Sequence, residues 1–386
     1  KKHISDLGKV ITGKTPRTSI LENYGGKIPF LTPSDNLSEK FSPTTSKTLT
    51  KIGLNEVKNC LLPSKSICVS CIGSDLGKVV LTKKPTVTNQ QFNSIVPNEE
   101  NDADFIYYLM TVVGKHLNYL SKTSTAVPII NKSTFANYEI EIPNIKEQKR
   151  IGEILSSLDD KIELNRRIND NLEQQAQALF KSWFVDFEPF KNRNFIDSEL
   201  GMIPEGWQVE DLGNITNSIT EKVGKRTDIK VLSPVNTGGL LLSEEYFTKQ
   251  VYSKNLAKYI MVAPNDFSYN PARINIGSIG MNTFDFSGCV SPVYVVFRCE
   301  KGYHHFFNIF KTTKNFKEEV NTRAIGGVRQ TLSYKDFSLI KIVYPPKEVV
   351  EQFNKIYSHI MTLIKKNVLE NKRLHQTRDT LLPKLM

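Results

Sequence analysis

The residues of this sequence best suited to binding chemistry are basic and carboxamide side chains. They are grouped in loops that contain glycine and proline. Arg and Lys can hydrogen bond to guanine, Asn and Gln to adenine, and other basic groups to phosphates. These sets therefore predict loops that read double-stranded DNA, although any one member could equally be a solvated loop residue. The candidate residues are Lys14, Thr15, Arg17, Lys78, Lys83, Lys84, Asn89, Gln90 and Gln91 in the first half, and Lys225, Arg226, Arg273, Asn275, Arg323, Arg329 and Gln330 in the second.

Motifs that resemble catalytic sites are incomplete. The run from Gly73 to Lys78 resembles a phosphate-binding loop, but it is one residue short between its glycines, and Val79 stands where Ser or Thr is needed. The segment Asn270-Pro271-Ala272-Arg273 departs from the Asn-Pro-Pro-aromatic motif of amino-methyltransferases at its last two positions. The histidines suggest no triad. We therefore expect no catalytic residue and no cofactor in this chain.

The cysteines argue against a metal site and for a reducing compartment. Cys68 and Cys71 have the spacing of half a zinc site, but no second pair supplies the other two ligands. The total of five is odd, which fits unpaired thiols in the cytosol. No apolar run reaches the ~18 residues of a membrane span. We therefore expect a cytoplasmic protein without bound metal.

The positive charge is concentrated in two large segments. The chain carries a net charge of +11, of which residues 1–145 contribute +5, residues 146–200 contribute −2, and residues 201–345 and 346–386 contribute +4 each. Two basic segments joined by a weakly acidic connector suit two polyanion-binding modules. Solubility alone would not require the excess in both.

Two long helical patterns must position these modules. Apolar residues at alternating steps of four and three predict a coiled-coil seam in each helix, and the polar Asn165 and Asn169 in the first would fix its register. The alternative is that each helix packs on its own module. The predicted seam residues are Ile151, Leu155, Leu158, Ile162, Leu172 and Leu179 in the first helix, and Phe353, Ile356, Ile360, Leu363, Leu374 and Leu381 in the second.

An aromatic cluster follows the first helix. Trp183, Phe184 and Phe187 precede Pro189, and we expect them to form an exposed apolar patch on which a partner chain docks. The alternative is that they complete the local core.

The two modules are diverged copies of one another. Ile72-Gly73-Ser74 recurs as Ile276-Gly277-Ser278, and Phe135 recurs as Phe337. Strands are predicted near 66–70, 78–81, 94–96, 290–298 and 339–343, and helices over 104–120 and 303–320. The fold class is therefore mixed α/β (α+β), with two similar globular domains and a long helix after each.

The motifs of the whole chain resemble those of the DNA specificity subunit of type I restriction–modification enzymes. The first module carries Thr12-Gly13-Lys14-Thr15-Pro16 and Cys71-Ile72-Gly73-Ser74-Asp75-Leu76-Gly77-Lys78-Val79. The second opens with Gly201-Met202-Ile203-Pro204-Glu205-Gly206-Trp207, and the chain closes with Arg378-Asp379-Thr380-Leu381-Leu382-Pro383-Lys384-Leu385-Met386. The resemblance implies target recognition domains at 1–145 and 191–345 (with a linker at 191–200) and conserved helical spacers at 146–190 and 346–386.

The resemblance also implies function and partners. Each recognition domain would read one half of an asymmetric bipartite DNA site, and the spacers would pair antiparallel as a ruler. Two methyltransferase subunits and restriction subunits would be the partners, and adenine methylation, S-adenosylmethionine, ATP and Mg²⁺ would belong to them. Three alternatives stay open: a type II system with a fused methylase–nuclease partner, a coiled-coil scaffold, and a nucleic-acid enzyme that acts alone.

Overall fold

The chain folds into two compact units. The computed structural model describes residues 1–41, 44–121, 129–247, 252–324 and 331–386. Unit 1 consists of Lys1–Arg167 and Lys366–Met386, and unit 2 consists of Ile168–Lys365. Both units mix short strands with helices, as the sequence predicts.

Unit 1 is built on two four-stranded sheets. Its strands and helices are β1 (Lys2–His3), β2 (Gly8–Thr12), β3 (Tyr24–Leu31), β4 (Lys47–Leu49), α1 (Lys51–Glu56), β5 (Leu61–Leu62), β6 (Ile67–Ser70), β7 (Val79–Leu81), β8 (Thr86–Thr88), β9 (Phe92–Pro97), α2 (Ala103–Ser121), α3 (Lys132–Ala136), β10 (Glu139–Ile140) and the first part of α4 (Ile145–Phe184). The main sheet is antiparallel and has the order β2-β9-β6-β7, and the second sheet has the order β4-β3-β8-β5.

The central strand β6 is buried on both faces. Because side chains alternate along a strand, Ile67 and Val69 point to one face and Cys68 to the other. The first face packs with α2 residues such as Ile106 and Met110, while Cys68 packs with Leu31 on the other side. The sheet is therefore held rigidly between two apolar layers.

Unit 2 has its own set of strands and helices. They are β11 (Phe195–Ile196), β12 (Ile203–Pro204), β13 (Gln208–Asp211), α5 (Leu212–Ile215), β14 (Thr216–Ile219), β15 (Leu232–Pro234), β16 (Leu240–Leu242), α6 (Ser243–Tyr246), β17 (Ile260–Val262), β18 (Phe267–Tyr269), β19 (Ile279–Met281), β20 (Gly288–Val290), β21 (Val295–Cys299), α7 (His304–Phe310), α8 (Lys314–Arg323), α9 (Tyr334–Phe337), β22 (Lys341–Tyr344) and α10 (Lys347–Leu385), whose last part belongs to unit 1.

The topology of unit 2 repeats that of unit 1. Its four-stranded antiparallel sheet has the order β14-β21-β18-β19, the counterpart of β2-β9-β6-β7. Phe135 and Phe337 are buried residues of the equivalent short helices α3 and α9. The internal repeat predicted from the sequence is confirmed at this level.

Strand pairing corrects one of the sequence matches. β7 begins at Val79 and β19 at Ile279, each opposite the central strand of its sheet. Gly77 and Gly277 both lie two residues earlier, with φ of +89° and +91°. Gly77, rather than Gly73, is therefore the counterpart of Gly277. The short Ile-Gly-Ser match misaligned the turns because both turns are rich in the same small residues.

Two predicted elements of unit 2 are divided. The strand expected over 290–298 is split between β20 and β21, since Pro292 interrupts it. The helix expected over 303–320 is split between α7 and α8. Thr313 starts the second helix, because its Oγ1 accepts a hydrogen bond from the Phe316 amide at 3.3 Å.

The long helices begin where the sequence supplies caps. Asn144 Oδ1 accepts a hydrogen bond from the Glu147 amide at 3.1 Å at the start of α4. Pro345 and Pro346 precede α10, and proline is favoured at helix starts because its missing N–H has no intrahelical partner there. None of the helices in the described residues combines the length and the apolar character that a membrane crossing requires.

Within unit 1, α4 and α10 run antiparallel, since Asp159 contacts Arg378 whereas Asn165 contacts Glu370. Asn165 is fully buried, and its Nδ2 donates to Glu370 Oε2 at 2.9 Å and to Asn371 Oδ1 at 2.8 Å. Of the predicted seam residues in this unit, Ile151, Leu155 and Ile162 are buried, and Leu158, Leu374 and Leu381 are half-buried.

The predicted seam is wrong at two positions of α10. In unit 2, Phe353 and Ile360 are buried and Leu172 and Leu179 half-buried, but Ile356 and Leu363 are 44% and 37% exposed. Tyr357 and Ile364 are buried instead. Apolar residues occupy 356 and 357, and again 363 and 364, so the pattern was compatible with either of two helical faces. Packing against the aromatic core buries the face that carries Tyr357 and Ile364.

The predicted exposed aromatic patch is also wrong. Phe184 is buried, and Trp183 and Phe187 are half-buried in the core of unit 2. The ring of Phe184 lies 4.8 Å from Phe306 and 5.0 Å from Phe353, and Phe187 lies 5.3 Å from Trp207, measured between ring centroids. These residues complete the local core because aromatic side chains from several elements of unit 2 converge on the end of α4.

Candidate nucleic-acid interface

Strand pairing brings three loops of unit 1 to one edge of its main sheet. The ends of β2 and β6 and the starts of β7 and β9 lie together, because Thr12 pairs with Asn93 and Ser70 with Phe92. We call this surface edge 1, and it consists of residues 13–17, 71–78 and 89–91. Most of the candidate DNA-reading residues of the first half lie on it.

Hydrogen bonds fix two of these loops against each other. The Lys14 amide donates to the Thr88 carbonyl at 2.9 Å, and Thr15 Oγ1 donates to Gln90 Oε1 at 2.7 Å. A Cβ at Gly13 would stand 2.2 Å from the Asn89 carbonyl oxygen, so only glycine permits this approach. Lys14 and Gln90 are exposed on the result.

The carboxamides of edge 1 also support one another. Asn89 is buried, and its Nδ2 donates to Gln91 Oε1 at 2.9 Å. Asn89 Oδ1 in turn accepts from the Gln91 amide at 3.1 Å. Asn89 therefore positions its neighbours, while Gln90 and Gln91 keep polar groups toward the surface.

Two cations of edge 1 are neutralised. Arg17 donates from Nε and Nη2 to Glu56 Oε1 at 3.1 and 2.9 Å, and Lys78 lies 3.2 Å from Asp75. Hydrogen bonds from the backbone and side chain of Arg17 lower the pKa of Glu56. Arg17 thus holds the loop, and Lys14 is the cation of the predicted set on this edge that has no carboxylate partner among the described residues.

Lys83 and Lys84 lie at the opposite end of the sheet. They follow Leu81, which pairs with the first residue of β6. Lys83 Nζ lies 2.8 Å from Glu163 of α4 and 4.4 Å from the centre of the Phe41 ring. The structure therefore separates both lysines from edge 1, because β7 carries the chain away from it.

The equivalent loops of unit 2 form edge 2, which consists of residues 220–226, 270–278 and 291–294. β14 ends opposite the start of β21, and β18 ends opposite the starts of β19 and β21. Lys225, Arg226, Arg273 and Asn275 are exposed on this edge. Arg226 is engaged by Glu221, with 2.6 Å between Nη2 and Oε1.

The remaining candidates of unit 2 fall outside edge 2. Arg323 lies in α8 and donates to Glu319 at 3.0 Å. Arg329 and Gln330 lie outside the residues that the structure describes.

Edge 2 contains a cavity of about 330 Å³ that the sequence did not suggest. Arg273 and Asn270 line it together with Ser291 and Tyr294, which stand just before β21. Asn89–Gln91 stand just before β9 in unit 1, so the matching position in the repeat was the signal that would have pointed to Ser291 and Tyr294.

The buried thiols are suited to packing. Burial raises the pKa of Cys68 to about 12 and that of Cys71 to about 11, so both stay protonated. Across the described ranges, the side chains of His, Cys, Asp and Glu form no group of three that could hold a metal ion.

Comparisons with known proteins identify close relatives. A family model described as the type I restriction modification DNA specificity domain matches residues 1–174. The chain is 30% identical over 407 residues to the type I restriction enzyme MjaIX specificity subunit of Methanocaldococcus jannaschii, covering all of this chain and 92% of the relative. It is 38% identical over 176 residues to the type I restriction enzyme HindI specificity subunit of Haemophilus influenzae, covering 44% of this chain and 38% of the relative.

A solved structure, one of several that match, is similar over the whole chain. The crystal structure of the S subunit of a type I restriction–modification system from M. genitalium superposes with a TM-score of 0.60 at 17% identity. The match covers 100% of this chain and 95% of that one. The similarity establishes a shared fold.

Proposed function

Because the chain belongs to the family of type I restriction enzyme specificity subunits, we propose that it provides the DNA sequence specificity of a type I restriction–modification complex. Edge 1 would read one half of a bipartite site and edge 2 the other. The two half-sites would differ in sequence, which makes the target asymmetric.

One observation carries this proposal. Each unit has an equivalent four-stranded sheet, and edge 1 and edge 2 lie at the same end of these two sheets. On both edges, exposed basic or carboxamide side chains lie on loops that backbone hydrogen bonds hold in place. Base recognition needs side chains that are attached to a rigid backbone, because a hydrogen bond weakens steeply when its geometry is wrong. A scaffold protein would have no need of this arrangement twice.

Long-range electrostatics supports DNA as the ligand. The segments that contain the two edges carry net charges of +5 and +4. The electrostatic field of these positive charges attracts a DNA duplex and speeds association, while the base-reading side chains discriminate between DNA sequences. Binding should therefore weaken as salt rises.

We assign no catalytic step to this chain. The chain would bind and orient the duplex, and two methyltransferase subunits would transfer methyl groups from S-adenosylmethionine to adenine. Restriction subunits with ATP and Mg²⁺ would complete the complex. The turn from Gly73 to Lys78, which resembles a phosphate loop, connects β6 to β7 instead.

Exposed apolar residues on the long helices are the surfaces that we propose for the methyltransferase subunits. Ile154 and Leu164 of α4 are 38% and 47% exposed, and Leu363 and Ile356 of α10 are 37% and 44% exposed. Leaving such side chains in water is unfavourable by about 25 cal/mol per Å² of apolar area relative to burial. A partner that covers them would recover this free energy.

The test is to co-express the chain with the methyltransferase subunit encoded beside it and to map methylated adenines across the host genome. We expect one split motif, present only when this chain is present. Cells with the methyltransferase subunit alone provide the control. Absence of any new methylated motif, with the purified complex shown to be assembled, would contradict the proposal.

A further inference from the structure

Arg273 differs from the other described arginines of the candidate set in having no acidic partner. Arg17, Arg226 and Arg323 pair with Glu56, Glu221 and Glu319, whereas no Asp or Glu of the described residues forms an ion pair with Arg273. We propose that Arg273 reads a guanine in the half-site bound by unit 2. This inference rests on the proposed function and specifies the base and the side chain.

The main chain of Arg273 is fixed on both sides. Its amide donates to the Asn270 carbonyl at 2.9 Å, and its carbonyl accepts from the amides of Ile276 and Ser278 at 3.2 and 3.1 Å. The Cα of Arg273 is therefore held in a fixed position, which reduces the conformational entropy that the side chain loses when its guanidinium forms contacts.

Neighbouring segments hold the whole turn in place. Ser278 Oγ donates to the Pro234 carbonyl at 2.9 Å, and the Leu332 amide donates to the Pro271 carbonyl at 3.1 Å. Gly277 has φ of +91°, and a Cβ there would stand 2.9 Å from the Asn236 carbonyl oxygen. The turn is thus a rigid platform, supported from two sides.

The surroundings of Arg273 offer aromatic and neutral polar groups. The cavity beside it is lined by Tyr294, Tyr259, Asn270 and Ser291 among others, and no carboxylate of the described residues lines it. Burial raises the pKa of Tyr294 and the charge of Arg273 opposes this rise, which places the guanidinium near that ring. The charge of Arg273 is therefore available to an external acceptor.

Guanine is the base that a guanidinium matches. Arg carries only donors, arranged as a planar fork. In the major groove, guanine presents two adjacent acceptors, N7 and O6, whereas adenine presents one acceptor beside a donor. The side chain of Arg273 can satisfy both guanine acceptors and would leave the adenine donor unpaired.

Comparison of the two edges favours a base contact over a phosphate contact. The strand register makes Gly73 the counterpart of Arg273, because the turns that end at Gly77 and Gly277 have the same length. A Cβ at Gly73 would stand 4.0 Å from Gln91 Nε2, so a carboxamide approaches this position in unit 1. Phosphates are the same at every site, and two copies of one module would keep phosphate contacts at matching positions. The difference between Gly73 in unit 1 and Arg273 in unit 2 is therefore the difference expected of positions that read different bases.

The experiment compares the wild-type complex with Arg273→Gln and Arg273→Lys variants, assembled with the same methyltransferase subunit. The motif is mapped by methylation, and binding is measured on duplexes that carry each base at every position of the second half-site. We expect a guanine at one position of the wild-type motif. Arg273→Gln should lose about 5- to 150-fold of the preference for it, with the first half-site unchanged.

Arg193→Gln provides the control, because it makes the same change of charge in unit 2 at an exposed residue outside edge 2, where Arg193 lies over the ring of Phe190. It should leave the motif unchanged. A uniform loss of affinity in Arg273→Gln, with the salt dependence reduced by about one phosphate contact, would identify a backbone contact and overturn the inference. An unchanged motif, or a wild-type second half-site without guanine, would also overturn it while leaving the proposed function intact. Only a wild-type complex without any motif would contradict the proposed function itself.

Discussion

Asp159 of α4 and Arg378 of α10 form a buried ion pair inside unit 1, with 2.7 Å between Oδ1 and Nη1. The Tyr108 hydroxyl donates to the other oxygen of Asp159 at 2.5 Å. Burial disfavours the charged form of Arg378, but the charge and hydrogen bond of Asp159 outweigh it and raise the pKa of Arg378. The pair therefore joins the end of the chain to α4 and to α2.

Removing one partner of this pair should be costly. Arg378→Met leaves the Asp159 carboxylate buried without its cation, and we expect a loss of about 3–5 kcal/mol in the free energy of unfolding. Asp159→Asn in the same chain removes the unpaired charge and keeps an acceptor for Tyr108, so the double variant should recover much of this loss. Urea unfolding of the single and double variants measures the coupling.

The exposed pair of Glu147 and Arg150 on α4 serves as the comparison. Water and salt screen this pair, and Arg150→Met should change stability by less than about 1 kcal/mol. Equal effects of Arg150→Met and Arg378→Met would contradict the importance that we assign to burial.

His305 should make the stability of the protein depend on pH. Burial, followed by the charge of His304, lowers the pKa of His305 from 6.5 to about 4. Below pH 6.5 this histidine is therefore protonated in the unfolded chain, whereas in the folded chain it stays neutral down to about pH 4. Stability is lost as the pH falls through this range. Relative to pH 7, the loss at pH 5 should be about 1–2 kcal/mol.

His305→Phe should abolish this contribution. The ring of His305 lies 5.0 Å from Tyr357, and its Nδ1 has no hydrogen-bond partner among the residues that the structure describes, so Phe can replace it without loss of a polar contact. Denaturant unfolding at pH 7 and pH 5 would show a smaller difference in the variant. His359→Phe on an exposed part of α10 controls for general effects of histidine removal. A variant that retains the full pH dependence would exclude His305 as its source.

The exposed and buried faces of α10 should respond differently to substitution. Ile364 is buried in the core of unit 2, and Ile364→Ala should cost about 2–4 kcal/mol of stability. Leu363→Asp should cost little stability, because Leu363 is 37% exposed, but should weaken the proposed association with the methyltransferase subunit at least tenfold. Co-purification and unfolding measurements separate the two effects. A destabilised Leu363→Asp with intact assembly would place Leu363 in the seam after all.

The sequence predicted the repeat and the two long helices well because both depend on long-range periodicity. It failed where two faces were compatible with the same pattern, as for Ile356 and Tyr357, since only the position of the aromatic core selects between them. It also failed for Lys83, because its spacing along the chain does not reveal that β7 carries it to the far end of the sheet. The charge partners of Arg17 and Arg226 depend on loop packing, which no local pattern encodes.

Edge 1 allows a matched test of how Gln90 reads DNA. Thr15 Oγ1 donates to Gln90 Oε1 at 2.7 Å and thereby orients the carboxamide. If Gln90 contacts a base, Gln90→Ala should relax one position of the first half-site about 5- to 150-fold and leave the second half-site unchanged. Thr15→Val should weaken the same preference less, because Gln90 remains but loses its orienting bond. A change in the second half-site would show that the two edges do not act separately.

The length of the long helices should set the gap between the half-sites. Removing residues 168–174 from α4 together with residues 361–367 from α10 takes one heptad from each helix and keeps the phase of the apolar positions. Seven residues of helix span about 10.5 Å, which corresponds to about three base pairs of B-DNA. We expect the methylated motif to keep both half-sites and to lose about three base pairs from its gap, since the reading residues of both edges are untouched. Leu172→Ala, which weakens the helix without shortening it, should keep the original gap. If the shortened protein assembles and methylates with an unchanged gap, the helices do not measure the distance, and the spacing must be fixed by another part of the complex.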